Sequence, residues 1–184
     1  MSFWTTSAGT TATENVKAEG TYEAAASGEP LPDNSSVLAF IEKAEWKRGR
    51  EEDGAPEYLQ IQWRVTAPEE VVRRVVFQKL WVTDADPSAK DATAKRDKAL
   101  AMLAKIDAIA GGKLAKIAGK PDNDQLALAL LNKEAVIKIG VWEIGGNSGN
   151  WVKAISPKGH ELSVPEGAVT KPKADYIGDD DIPF

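Results

Sequence analysis

Apolar and polar residues alternate along several stretches of the chain, and this pattern predicts five β-strands. The alternation is regular in the second stretch, where Leu59, Ile61 and Trp63 fall on one side of an extended chain. The first stretch is apolar on both faces, which is typical either of a fully buried strand or of a strand at a dimer edge. The predicted strands cover residues 36–47, 57–66, 72–83, 134–144 and 150–156.

The second and third strands each combine a core face with a face of different chemistry. Trp63 shares the apolar face of the second strand, so we expect it in the core rather than at a binding surface. In the third strand the face opposite Phe77 is the predicted core face, whereas the face of Phe77 suits either base stacking or core packing. The polar face of the second strand consists of Tyr58, Gln60, Gln62 and Arg64, and the mixed face of the third consists of Val75, Phe77, Lys79 and Trp81.

A helical pattern separates the third strand from the fourth. The Asp-Pro pair at residues 86–87 is a helix-start signal, and residues 88–110 are rich in Ala, Lys and Leu until Gly111 ends the pattern. A second, shorter helix is predicted at residues 124–132. The Gly-rich residues 145–149 then predict a hairpin between the fourth and fifth strands.

The order of these elements is strand, strand, strand, helix, helix, strand, strand. This is the order of the oligonucleotide/oligosaccharide-binding (OB) fold, a five-stranded, partly open barrel. We therefore predict a mainly β protein with a helical insertion and an OB-fold domain at residues 35–157. Residues 1–34 have no sustained period and predict a flexible N-terminal arm. Residues 158–184 are rich in Pro, Gly and charge and predict a flexible linker with a disordered acidic tail.

The charge of the chain is unevenly distributed. The formal net charge is −5, and the residues after Pro157 contribute −3 of it through six acids and three lysines. The body is therefore close to neutral, and the net charge does not argue against a nucleic-acid partner. The chain has no cysteine, no apolar run long enough for a membrane span and no signal-peptide pattern, so we expect a cytoplasmic protein.

Binding of single-stranded nucleic acid requires aromatic rings that stack on bases and cations that contact phosphates. Six Trp is a high count for a chain of 184 residues. We expect Trp142 to be exposed, because it alternates with residues of the core face, and Trp151 follows a usual binding loop of the OB fold. The candidate DNA-binding residues are Lys47, Arg48, Arg50, Tyr58, Arg64, Arg73, Phe77, Lys79, Trp81, Lys138, Trp142, Trp151 and Lys153.

Several of these candidates also have a structural explanation. The acids at residues 51–53 follow the cations of the first hairpin and are placed to neutralise them, and the acids at residues 69–70 do the same for Arg73. Gln60 and Gln62 suit a solvated outer face of the sheet.

Catalytic chemistry finds little support in the sequence. The single histidine, His160, lies in a Pro- and Gly-flanked segment, and the chain has no cysteine nucleophile and no phosphate-cradling Gly loop. Adjacent acids at residues 179–181 without a turn glycine among them form a poor calcium loop. We therefore predict that the protein is not an enzyme and uses no cofactor or metal.

The final residues combine a run of acids with an apolar tip. With Phe184 last, its α-carboxylate adds an anionic group, and such a segment suits a partner with a basic rim and an apolar pocket. This ending resembles the C-terminal tip of bacterial single-stranded DNA-binding proteins, a resemblance that covers only these residues. It implies a docking site for genome-maintenance enzymes, formed by Asp179, Asp180, Asp181, Ile182, Pro183 and Phe184.

The start of the chain at residues 2–7 resembles a group of bacteriophage proteins encoded near replication and recombination functions. Together these features predict a largely sequence-independent binder of single-stranded DNA that acts in replication, recombination and repair. An alternative is an adaptor that does not bind DNA and competes for the partners of the host's single-stranded DNA-binding protein. A dimer is compatible with the apolar first strand.

Overall fold

The computed structural model describes residues 30–83 and 90–165. They form a mainly β protein in which two helices lie between the third and fourth strands, as the sequence predicts. The strands are β1 (Ser36–Arg48), β2 (Glu57–Ala67), β3 (Val75–Leu80), β4 (Glu134–Ile144) and β5 (Asn147–Ser156), and the helices are α1 (Ala92–Ala110) and α2 (Asn123–Leu130). None of the helices in these two ranges is long and apolar enough to cross a membrane.

All five strands belong to one antiparallel sheet with the order β3-β2-β1-β4-β5. β1 lies at the centre, where its first half pairs with β4 and most of its length pairs with β2. Its apolar residues on both faces are therefore those of a central strand and not of a sheet edge. The outermost strands, β3 and β5, also approach each other.

Alternation along the strands separates a core face from an outer face. Leu59, Ile61 and Trp63 on β2 belong to one apolar cluster with residues of β1, β4 and both helices. Trp63 is fully buried, which confirms the prediction for this residue, and its indole Nε1 donates a 2.9 Å hydrogen bond to Gln78 Oε1. The bond matters because a buried N–H without an acceptor costs about 1–3 kcal/mol.

The second half of β1 is covered by the region around α2. Trp46 donates from Nε1 to the carbonyl of Pro121 at 2.7 Å, and its backbone N–H donates to Asn123 Oδ1 at 2.8 Å. The Lys120 ammonium lies 4.5 Å from the centre of the Trp46 ring. Trp46 therefore fastens the helical insertion to the sheet.

Both helices begin where a side chain caps them. The Asp91 carboxylate accepts from the N–H of Ala94, so α1 starts at residue 92, later than the predicted residue 88. The predicted start signal at residues 86–87 lies outside the described residues. α2 starts with a capping box in which Asp122 and Gln125 exchange hydrogen bonds between side chain and backbone.

Two strands differ from the predicted bounds because of their turns. β3 starts at Val75 and not at residue 72, since Arg73 has a positive φ of 72° and the preceding residues form a turn. β3 also ends at Leu80 and not at residue 83. β5 starts at Asn147 and not at residue 150, because Gly145 and Gly146 alone make the hairpin. Their φ values of 60° and 84° fit a two-residue turn with positive φ at both positions.

The segments before β1 and after β5 are both held against the sheet. Before β1, Leu31 is buried, and Asn34 and Ser35 exchange backbone hydrogen bonds with Ile139. After β5, Ser163 forms an isolated bridge with Ser36. The packed structure thus begins before the predicted boundary at residue 35 and continues beyond residue 157. The remainder of the predicted arm and the acidic tip lie outside the described residues.

Candidate nucleic-acid interface

The sheet face opposite the apolar core, called here the outer face, carries most of the candidate residues. On its β2–β3 side the antiparallel register places Gln60 beside Lys79, and Gln62 beside Phe77. Trp81 directly follows β3 and reaches the ring of Tyr58. The sequence-predicted faces of both strands are therefore confirmed.

Four of these side chains are more deeply buried than a solvated face would be. Tyr58 is 1% exposed, Gln60 4%, Lys79 6% and Trp81 7%, so the prediction of a solvated position is wrong for Gln60. The Tyr58 and Trp81 ring centres are 4.9 Å apart with a 50° interplanar angle, and Lys79 Nζ lies 5.0 Å from the centre of the Tyr58 ring. These contacts occupy part of the aromatic surface that a base would need, whereas Phe77 is only half-buried.

Arg64 is engaged by an acid that the sequence analysis missed. Its Nε donates to Glu42 Oε1 at 2.9 Å, its Nη2 donates to Glu42 Oε2 at 2.7 Å, and Gln62 also donates to this carboxylate. Such a two-bond pair fixes the orientation of the guanidinium. Glu42 lies 22 residues before Arg64 and meets it because the β1–β2 register shifts between Ile41 and Lys43.

The hydrogen bonds from Arg64 hold the pKa of Glu42 below its ordinary value of 4.5, against the opposing effect of partial burial. A carboxyl whose folded pKa is lowered stabilises the fold above the unfolded pKa and loses that contribution as the pH falls through the folded pKa. The Glu42–Arg64 pair therefore supports the fold at neutral pH and not in acid.

We expect Glu42→Gln to lower the free energy of unfolding at pH 7 and to have a shrinking effect as the pH falls below about 4.5. Urea unfolding of the two proteins between pH 7 and pH 3 measures this difference. Glu70→Gln is the control, since Glu70 is exposed and the described residues give it no ion pair. Parallel curves for Glu42→Gln and the wild type at every pH would contradict the assignment.

The cations of the first hairpin and of the β2–β3 turn differ in whether an acid lies within ion-pair distance. Lys47 Nζ lies 3.6 Å from the Glu45 carboxylate, and Arg50 lies 3.7 Å from that of Glu52. Arg48 and Arg73 are exposed and form no ion pair with any described residue. The predicted neutralisation by neighbouring acids thus applies to Arg50, while Lys47 uses an acid on its own strand.

On the β4–β5 side of the outer face, the prediction for Trp142 was wrong. Trp142 is 7% exposed, and its indole lies over Gly149 on the neighbouring strand. Trp151 is half-buried and lies over Gly140 in the same way. Lys138, two residues before Gly140, is exposed and has no ion-pair partner in the described part of the chain.

Lys153 is tied to the segment that precedes β1. Its Nζ donates to Asp33 Oδ1 at 2.7 Å and to Asn34 Oδ1 at 3.2 Å. The bond from Lys153, together with the backbone N–H of Val141, lowers the pKa of Asp33. Asn150 pairs with Leu31 through two hydrogen bonds between its side-chain amide and the backbone, which fixes this segment beside the hairpin.

The described residues contain no group of three or more His, Asp or Glu side chains that could hold a metal ion. His160 is exposed in the turn after β5. The predicted docking tip at residues 179–184 lies outside the described residues. No protein-family model matches this chain, and no curated protein matches it either.

Proposed function

We propose that this protein is a non-catalytic binder of single-stranded DNA, largely independent of sequence, built on an OB-fold barrel. The observation that carries the proposal is the combination of aromatic rings and cations on one face of a five-stranded sheet. Bases stack on aromatic rings of any kind, and cations contact the phosphates, so such a face suits unpaired strands of any sequence.

The topology supports the barrel. The sheet order β3-β2-β1-β4-β5 has a long central β1, helices between β3 and β4, and edge strands that approach each other. An OB barrel needs this arrangement, with β3 and β5 meeting to complete the barrel. Topology alone does not specify a ligand, since the same fold binds sugars and proteins.

The aromatic and cationic residues support the ligand. Phe77 and Trp151 on the outer face are partly accessible, and Lys138 on that face is exposed. Arg48 at the end of β1 and Arg73 in the β2–β3 turn are exposed beside it. These residues supply ring surface for stacking and charge for phosphates. The resemblance of the last six residues to the tip of bacterial single-stranded DNA-binding proteins supports a second role, which is recruitment of replication, recombination and repair enzymes. The resemblance at residues 2–7 supports a bacteriophage origin and hence a place in the host cytoplasm.

A second candidate is a protein-interaction adaptor that does not bind DNA. It is favoured by the burial of Tyr58, Lys79 and Trp81 and by the acids that hold Arg64 and Lys153. In an adaptor these residues would stabilise the scaffold, and the accessible aromatic residues would belong to a protein interface.

Titration of the full chain with oligo(dT) while following Trp fluorescence separates the two candidates. We expect quenching that saturates and tightens with oligonucleotide length, because Trp151 would stack on bases. A duplex of the same length is the control and should bind more weakly. Unchanged fluorescence and no binding by anisotropy of a labelled oligonucleotide would contradict DNA binding and favour the adaptor.

A further inference from the structure

The β4–β5 hairpin contains the same three-residue pattern on both strands. Gly140-Val141-Trp142 lies on β4 and Gly149-Asn150-Trp151 lies on β5. The antiparallel register pairs Gly140 with Trp151, and Trp142 with Gly149. Each tryptophan therefore faces a glycine across the ladder, and both pairs lie on the outer face.

Each indole lies directly against the backbone of the opposite glycine. A Cβ added to Gly140 would lie 2.2 Å from Trp151 Nε1 and 2.4 Å from Cε2. A Cβ added to Gly149 would lie 2.6 Å from Trp142 Cζ2 and 2.8 Å from its Nε1. Such distances are far below van der Waals contact, so any other residue at either position would displace the ring. The two glycines thus hold both rings close to the sheet.

One of these indoles has an unused hydrogen-bond donor. Trp142 is 7% exposed, and its Nε1 has no hydrogen-bond partner. Because a buried N–H without an acceptor is costly and uncommon, it points to an acceptor that arrives with a ligand. Trp81 Nε1 is also without a hydrogen-bond partner, so the donor alone does not rank the two sides; the Tyr58 ring packed against Trp81 distinguishes the β2–β3 side.

Cations flank the paired rings. The Lys153 side chain runs beside Trp151, since its Cε would lie 2.9 Å from a Cβ on Gly140. Lys138 is exposed on the same face of β4, two residues before Gly140. A planar ring surface, a buried donor, the exposed Lys138 ammonium and the Lys153 ammonium, which Asp33 holds, together match a nucleotide, which offers a base, acceptor atoms and a phosphate.

We infer that the outer face of the β4–β5 hairpin, and not that of β2–β3, is the main base-stacking surface, with Trp151 as the ring that meets the base. Trp142 donates its N–H to the bound nucleotide, and Gly140 and Gly149 are positioning residues that hold the rings. This inference rests on the proposed function, and it ranks two surfaces that the proposed function leaves equal.

The test measures affinity for labelled oligo(dT) by anisotropy, using the full chain. We expect Trp151→Ala to weaken binding about 5- to 150-fold, as loss of one stacked base would. Trp151→Phe should recover most of that loss, because it restores a ring. Phe77→Ala, the matched truncation of a half-buried ring on the β2–β3 side, should weaken binding clearly less than Trp151→Ala does.

A double-mutant cycle tests the role of the glycine. Gly140→Ala should weaken DNA binding in the wild-type background and have little effect beside Trp151→Ala, because no indole remains to be displaced. A glycine that matters only for stability would weaken binding equally in both backgrounds. Circular dichroism checks that each variant folds, and the Trp151 and Phe77 comparison stands without the glycine variants.

The outcomes separate this inference from the proposed function. If Phe77→Ala weakens binding as much as Trp151→Ala or more, the inference is overturned while DNA binding remains. If the wild type binds no oligonucleotide, the proposed function fails and the inference fails with it.

Discussion

Removal of residues 179–184 is expected to abolish the binding of partner enzymes while single-stranded DNA binding persists or tightens. The segment combines three aspartates with Ile182 and Phe184, so a partner loses both its charge contacts and its apolar anchor. The deletion also removes three of the negative charges that oppose phosphates, and a tethered anionic segment competes at high effective concentration. The two activities should therefore separate in one variant.

Affinity measurements on two ligands give the readout. The first ligand is labelled oligo(dT), and the second is a purified bacterial enzyme that binds the tip of a bacterial single-stranded DNA-binding protein. Phe184→Ala should weaken enzyme binding about 30-fold or more if the ring is the anchor. A variant with the last six residues in scrambled order is the matched control, because it keeps the charge and loses the order.

Three other results would each contradict a different part of this expectation. A truncated protein that loses affinity for DNA would contradict the division between a binding domain and a recruiting tip. A scrambled tip that still binds the enzyme would show that the composition of the tip, and not its order, is recognised. If the truncation abolishes enzyme binding and the wild type binds no DNA, the adaptor is favoured.

Much of the sheet could be predicted from period-two alternation. The alternation in β2 and β4 predicts both their bounds and their core faces, because a buried face selects apolar residues at every second position. Trp63 was placed in the core by the same argument. The start of α1 was less predictable, since this helix begins at the residue after Asp91, which caps it, whereas α2 begins within one residue of its predicted start.

The outer face could be predicted only in part. Alternation states which side of the sheet Tyr58 and Trp142 occupy, but it does not state what packs against them there. The contact between Trp142 and Gly149 follows from the strand register and not from local sequence. The repeated Gly-x-Trp pattern was the available signal, because in a hairpin of known turn length it predicts the pairing.

Local sequence patterns could not predict the ion pairs between residues that lie far apart in the chain. Glu42 reaches Arg64 across the β1–β2 register shift, and Asp33 reaches Lys153 over 120 positions of sequence. Counting charges near each cation found Glu52 for Arg50 and missed both of these acids. Two of the candidate phosphate contacts, Arg64 and Lys153, are therefore held by carboxylates of the same chain. A bound strand would have to share these cations with the carboxylates or displace them.

The salt dependence of DNA binding is expected to report how many cations contact phosphates. For single strands, the slope of log affinity against log salt is about −0.7 for each phosphate neutralised. Arg48, Arg73 and Lys138 are exposed without ion pairs among the described residues, and one phosphate for each gives a slope of about −2. Affinity should then fall about 20-fold between 50 and 200 mM salt.

Neutralising the two acids that hold candidate cations, Glu42 and Asp33, should change this slope. Glu42→Gln releases Arg64, and Asp33→Asn releases Lys153, so each should steepen the slope by about 0.7 and tighten binding at low salt. Glu134→Gln is the matched control, because it removes the same charge but releases Lys158, which is not a candidate contact. If all three variants steepen the slope equally, the change is due to net charge. A wild-type slope near zero would contradict a phosphate-binding face. A slope of about −2 that steepens only for Glu42→Gln and Asp33→Asn would place both ion pairs beside the path of the bound strand.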